Sequence, residues 1–124
     1  MSSEKFTFKG HAGDDLAARL DRPDGPVRAA AILAHCFTCS KDIAAVRRIA
    51  GRLAALGIAV LRFDFTGLGH SGGEFANTHF SSNVADLLAA AEFMKTRDLE
   101  VQLLVGHSLG GAAVLKAAAE LASV

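Results

Sequence analysis

The chain has 124 residues, enough for one domain, residues 1–124, and too few for two. Thirteen basic and thirteen acidic side chains cancel, which argues against an electrostatic surface for nucleic acid or anionic lipid. Hydrophobic residues make up 51% and charged ones 21%, a balance that argues against disorder and allows a real core at this length. No apolar run reaches the ~18 residues needed to cross a bilayer. The start, Met1-Ser2-Ser3-Glu4-Lys5-Phe6, lacks the apolar stretch of a signal peptide. Cys36 and Cys39 are too close together to staple a secreted scaffold. The expectation is a soluble, cytoplasmic protein with no membrane or nucleic-acid partner.

Lys5 to Lys9 alternates around Phe6 and Phe8, and Leu16 to Leu20 alternates more weakly. With His11-Ala12-Gly13-Asp14-Asp15 between them, the two segments predict a β-hairpin. Asp21 to Pro26 is a turn cluster holding both prolines. Ala29 to Ala34 is a continuous apolar run, as expected of a strand buried on both faces. Ser40 is placed to cap a helix with apolar positions Ile43, Val46, Ala50, Leu53 and Ala54, ending near Gly57.

Ile58 to Phe63 predicts a second buried strand, and Thr66 to Gly73 a glycine-rich loop. A second helix follows with Phe80, Val84, Leu87, Leu88 and Ala91 on one face. Val101 to Val105 predicts a third buried strand, and Leu109 onward a third helix. Phe75, Phe80 and Phe93 read as core or helix packing. Buried strands alternating with amphipathic helices imply an α/β domain with a mostly parallel sheet and helices on both faces.

The most informative stretch is Val101 to Ala113, where an apolar run meets Gly106-His107-Ser108-Leu109-Gly110 and then a helix-forming tail. A serine hydroxyl is a poor nucleophile unless the backbone thrusts it out and donors await the oxyanion. A strand, a tight glycine-bounded turn and a helix N-terminus provide that geometry, the nucleophile elbow. Ser108 is therefore the candidate nucleophile. A tetrahedral intermediate needs two N–H donors. Leu109, directly after Ser108, supplies one. The other is expected from the loop His35-Cys36-Phe37-Thr38-Cys39-Ser40, with Phe37 N–H preferred and Cys36 the alternative. Both segments lie at the carboxyl ends of strands, where open α/β sheets bind ligands.

Three segments in order, His35-Cys36-Phe37, Phe63-Asp64-Phe65-Thr66-Gly67-Leu68-Gly69-His70-Ser71 and Gly106-His107-Ser108-Leu109-Gly110-Gly111, resemble the α/β-hydrolase superfamily. Within it the residues look similar to the serine aminopeptidase and lysophospholipase-like branch. Cys36 stands where most members have glycine. The string His-Cys-Phe-Thr-Cys looks like the hydrolase domain found fused to a domain of the osmotically inducible protein C type. The resemblance spans nearly the whole chain but only the first half of that hydrolase domain. It implies sheet order 1-2-4-3-5 and hydrolysis of an ester or related acyl bond in a small-molecule substrate.

The resemblance also implies a triad running Ser, then Asp or Glu, then His. After Ser108 the only acidic residue is Glu120, and no histidine follows. His70, on a loop at the same rim, is a weak candidate to replace the base, and Asp64 reads as an organiser of that loop. The third helix, with Leu115, Ala118 and Leu121 periodic, meets no stop signal, and the strand ending at Val105 would become an apolar edge. These features read as a partial domain, inactive or nearly so alone and completed by a C-terminal continuation or a partner chain, with a non-catalytic remnant that needs a partner chain as the alternative.

Other signals compete. Cys36-x-x-Cys39 after a strand and before a helix suits a thiol-redox or binding fragment, though a thioredoxin-like fold needs a cis-proline that cannot come from prolines placed earlier. His35, Cys36 and Cys39 supply at most three of the four ligands of a structural zinc site. Gly67-x-Gly69-x-x-Gly72 matches a dinucleotide fingerprint in letters, but no helix is expected to begin there. No cofactor and no metal are expected.

Overall fold

The computed structural model describes residues 2–35, 41–74, 79–106 and 109–124. In chain order the elements are β1 (Ser2–Lys9), β2 (Asp15–Arg22), β3 (Ala29–Ala34), α1 (Ala44–Ala55), β4 (Ile58–Phe63), α2 (Phe80–Lys95), β5 (Val101–Gly106) and α3 (Leu109–Ala118). The five strands form one sheet in the order β1-β2-β4-β3-β5, as the resemblance implied. β1 with β2 and β2 with β4 are antiparallel, while β3 runs parallel to both β4 and β5. Among the described residues, no helix is long and apolar enough to cross a membrane.

Strand side chains alternate between faces, so a strand buried on both sides feeds two cores. Ala30, Ile32, Ala34, Ala59, Leu61 and Phe63 join Val84, Leu87, Ala90, Ala91 and Met94 of α2 and Ala113, Val114 and Ala117 of α3. On the opposite face Ala31, Leu33 and Val60 pack against Val46 and Ala50 of α1. The hairpin adds Phe8, Leu16, Ala18 and Leu20 to the larger core. There the rings of Phe8 and Phe63 meet edge-on with centroids 5.4 Å apart, and the Arg97 guanidinium lies 4.5 Å from the Phe6 centroid. Phe93 stacks on Phe8, so its expected packing role holds. Phe75 lies outside the described residues.

Four expectations are corrected. Helix α1 starts at Ala44 with Ile43 at the N-cap and no side-chain cap, whereas Ser40 was expected to cap it and lies outside the described residues. The chain at Lys41 and Asp42 is committed to other partners: Lys41 N–H donates to Asp64, and Lys41 C=O accepts from Arg62. On α2, Phe80 is exposed at 42%, and the buried face instead carries Ser82, Asn83 and Asp86 beside Val84, Leu87 and Ala91. That helix is capped by His79, whose ring accepts from Ser82 N–H while Ser82 Oγ accepts from His79 N–H.

Helix α3 ends at Ala118 and runs on in tight turns, with Glu120 N–H bonded to Ala117 C=O. Leu115 is 78% exposed, because the inward stripe is Ala113, Val114 and Ala117. Strand β5 is not buried on both faces. It pairs with β3 on one side, and Gln102 and Leu103 are exposed, as the edge placement also foresaw.

Gly57 ends α1 with φ +87, and Arg28 N–H donates to its carbonyl at 2.7 Å. A Cβ there would meet the Arg28 side chain at 2.8 Å, so the turn into β4 requires glycine. The uncapped start of α1 makes a clean prediction. Ile43 is already extended (φ −65, ψ 151), so Ile43→Ser should add the missing cap and stabilise the fold by about 1 kcal/mol in urea unfolding. A loss of stability would mean that Ile43 contributes packing that outweighs the cap.

Candidate active site

The parallel register pairs Ala34 of β3 with Gly106 of β5, so the segments that follow leave the sheet from adjacent strand ends. Helix α3 opens at Leu109, and two residues span the gap from the end of β5. Its N-terminus therefore follows closely on the carboxyl end of β5. Of the expected site residues, Leu109 falls on the first turn of α3. Ser108, Phe37 and Cys36 lie outside the described residues, as do Cys39 and His107.

Beside these strand ends the structure assembles a buried carboxylate. β4 delivers Asp64 next to His35, which directly follows β3, and His35 Nε2 lies 3.4 Å from Asp64 Oδ1. Lys41 N–H donates to Asp64 Oδ1 at 2.8 Å, and the Lys41 ammonium to Oδ2 at 3.1 Å. His70 N–H donates to Oδ2 at 3.0 Å. The backbone of Asp64 is held as well: its N–H donates to Ala17 C=O, and its C=O accepts from Ser71 Oγ–H. Gly69 has φ +52, and a Cβ there would overlap the Asp64 carboxyl, so the loop closes over the carboxylate only as glycine.

Burial pushes the Asp64 carboxyl toward a higher pKa. The close His35 ring, with the hydrogen bonds from the Lys41 and His70 N–H groups and the Lys41 ammonium, outweighs it and holds Asp64 well below the ordinary carboxylate range. Asp64 is therefore a fixed anion. Asp42 is shifted down in the same way, burial opposing and the Lys41 and Arg62 charges prevailing.

A second carboxylate escaped sequence reasoning. Asp86, fully buried on α2, accepts from His11 N–H at 2.9 Å and from Thr66 N–H and Oγ–H at 3.0 and 2.8 Å. The His11 ring also approaches it, Nδ1 lying 2.8 Å from Oδ1. These bonds tie the hairpin turn and the loop after β4 to the helix, 75 and 20 residues away in sequence. A lone Asp in a helical pattern carries no local signal for such a role. His70 stands apart, with its side chain 76% exposed and Nδ1 3.8 Å from Asp42. Its described neighbours are Lys41, Asp42 and Asp64.

A hairpin followed by βαβαβα, with the sheet in the order β1-β2-β4-β3-β5, is the architecture of the N-terminal portion of an α/β hydrolase. The family model described as serine aminopeptidase, S33, matches residues 25–123, and the chain belongs to that family. Among solved structures, the esterase domain of a Rhodothermus marinus protein is 48% identical, with TM-score 0.80, covering 100% of this chain and 48% of that one. An α/β serine hydrolase without lid from Xanthomonas campestris is 34% identical, with TM-score 0.82, covering 98% and 57%. Est1E from Butyrivibrio proteoclasticus, solved with ferulic acid bound, is 29% identical, with TM-score 0.82, covering 91% and 47%. No curated protein matches the chain. The chain spans about half the length of these solved structures.

Asp64 yields a pH-dependent prediction. Its folded-state pKa is below the unfolded value of about 3.9, so its stabilisation is complete above that value and is lost as pH falls through the acid range. Asp64→Asn should cost about 3 kcal/mol at pH 7, since it removes one of the two carboxylates paired with the buried Lys41 ammonium. The gap between wild type and variant should narrow below about pH 4. A pH-independent gap would show that the carboxylate charge is not what stabilises the fold.

Proposed function

We propose that this chain carries the nucleophile and oxyanion hole of a serine hydrolase acting on an ester or related acyl bond of a small-molecule substrate. Ser108 Oγ attacks the carbonyl carbon. The N–H groups of Leu109 and Phe37, with Cys36 as the alternative to Phe37, hold the resulting oxyanion. Collapse expels the leaving group, and water then releases the acyl group from the serine. The observation that carries this reading is the pairing of Ala34 with Gly106, which starts the two segments bearing Phe37 and Ser108 from neighbouring strand ends. Membership of the S33 family and likeness to esterases support the same chemistry.

No histidine follows Ser108, and the described surroundings of His11 and His70 engage them with Asp86 and with the Lys41–Asp42 pair. The proposal therefore assigns the general acid and base to residues beyond these 124, on further chain or on a partner. Without them the oxyanion hole and binding alone sustain residual catalysis. The neighbouring domain of the osmotically inducible protein C type and a cytoplasmic location remain part of this proposal.

A fluorophosphonate probe tests it, because it reacts with an elbow serine and leaves a phosphonylated adduct that mass spectrometry can place. Labelling should be slow, survive in Cys36→Ala and Cys39→Ala, and fall to background in Ser108→Ala. Labelling that survives Ser108→Ala, or a disulfide between Cys36 and Cys39 with a depressed thiol pKa and no serine adduct, would overturn the hydrolase reading in favour of thiol chemistry.

A further inference from the structure

A hollow of about 990 Å³ lined by described residues lies on the α1 side of the hairpin. Its wall collects cations from four elements or their flanks: Lys5 of β1, Arg19 of β2, Arg62 of β4, Arg47 of α1 and Lys41 just before α1. The lone acid on that wall is Asp42. This concentration occurs in a chain whose basic and acidic residues cancel overall, so it reflects placement rather than a generally basic surface.

The pairing within the hollow is incomplete. Arg62 is buried and donates to Asp21 at 2.8 Å, to Lys41 C=O at 2.6 Å and to Asp42 at 3.3 Å. Lys41, also buried, is matched by Asp42 and Asp64 at 2.8 and 3.1 Å. Arg19 leans toward Asp42 at 3.8 Å. Three carboxylates thus answer three of the five cations. Lys5 and Arg47 have no ion pair or side-chain hydrogen bond among the described residues, and they face the same hollow from β1 and α1. Two uncompensated cations over a floor of rigidly held Arg62 and Lys41 make a positive recess whose low-dielectric walls focus the field.

We propose that this recess is a binding site for a compact doubly charged oxyanion, a phosphate group or a dicarboxylate, taken between Arg47 and Lys5. The Arg47 guanidinium supplies paired N–H donors to two oxygens, and Lys5 supplies the opposing charge. The site is distinct from the proposed oxyanion hole, because its donors are side chains on the hairpin and α1 rather than backbone N–H groups at the ends of β3 and β5.

Calorimetric titration of the 124-residue chain with inorganic phosphate and, separately, with succinate tests the site at constant ionic strength set by sodium chloride. Saturable heat with either ligand is expected, and which of the two binds assigns the chemical class. Arg47→Ala and Lys5→Ala, both at exposed positions that should leave the circular dichroism unchanged, should each weaken the affinity about tenfold. The proposal is overturned if neither ligand produces saturable heat. It is also overturned if the affinity is the same in the two variants as in the wild type.

Discussion

Asp64 is the constraint on which the rest depends. A carboxylate with no exposed surface survives in a protein interior only if donors replace the water it has lost. Here three separate segments converge on it: Lys41 before α1 and His70 in the loop after β4 donate, and the His35 ring after β3 packs against it. Satisfying one anion therefore fixes the exits of two parallel strands, the entry to a helix and the course of a glycine-rich loop. Asp86 does the complementary work on the other face, joining the hairpin turn and Thr66 to α2.

This arrangement explains how a small sheet can set the course of the chain beyond its strand ends. The apolar alternation of β3 and β4 fills two cores and places the strands, but it does not specify what happens beyond their ends. The polar nodes do that, and they cluster where the strands finish. The same residues also shape the basic recess: Lys41 faces Asp64 on one side and the hollow on the other, and Arg62 is anchored to Asp21 behind it. Folding and charge placement share their parts here.

Much of the fold was legible because burial on both faces leaves an unbroken apolar run, as in Ala29 to Ala34, and because hairpin alternation is local. The strand and helix on either side of the candidate elbow were legible for the same reason, as an apolar run and a helix-forming tail close together in sequence. What stayed hidden were choices made at long range. Ser40 looked like the cap of α1, yet Asp64 and Arg62, more than twenty residues away, claim the chain at Lys41 and shift the helix start to Ala44. Phe80 looked like a core residue until Asp86 turned the polar flank of α2 inward. The cationic recess draws on four elements and has no contiguous signature at all.

Native-state hydrogen exchange at the backbone N–H groups of Lys41 and His70 tests most directly whether the Asp64 carboxylate organises the sheet edge. Both lie in irregular segments and would exchange quickly if they faced only solvent. If both donate to the buried carboxylate, their protection should approach that of the β4 amides, and it should vanish together for the two residues in Asp64→Asn. Exchange of either at loop rates in the wild-type chain would contradict the account.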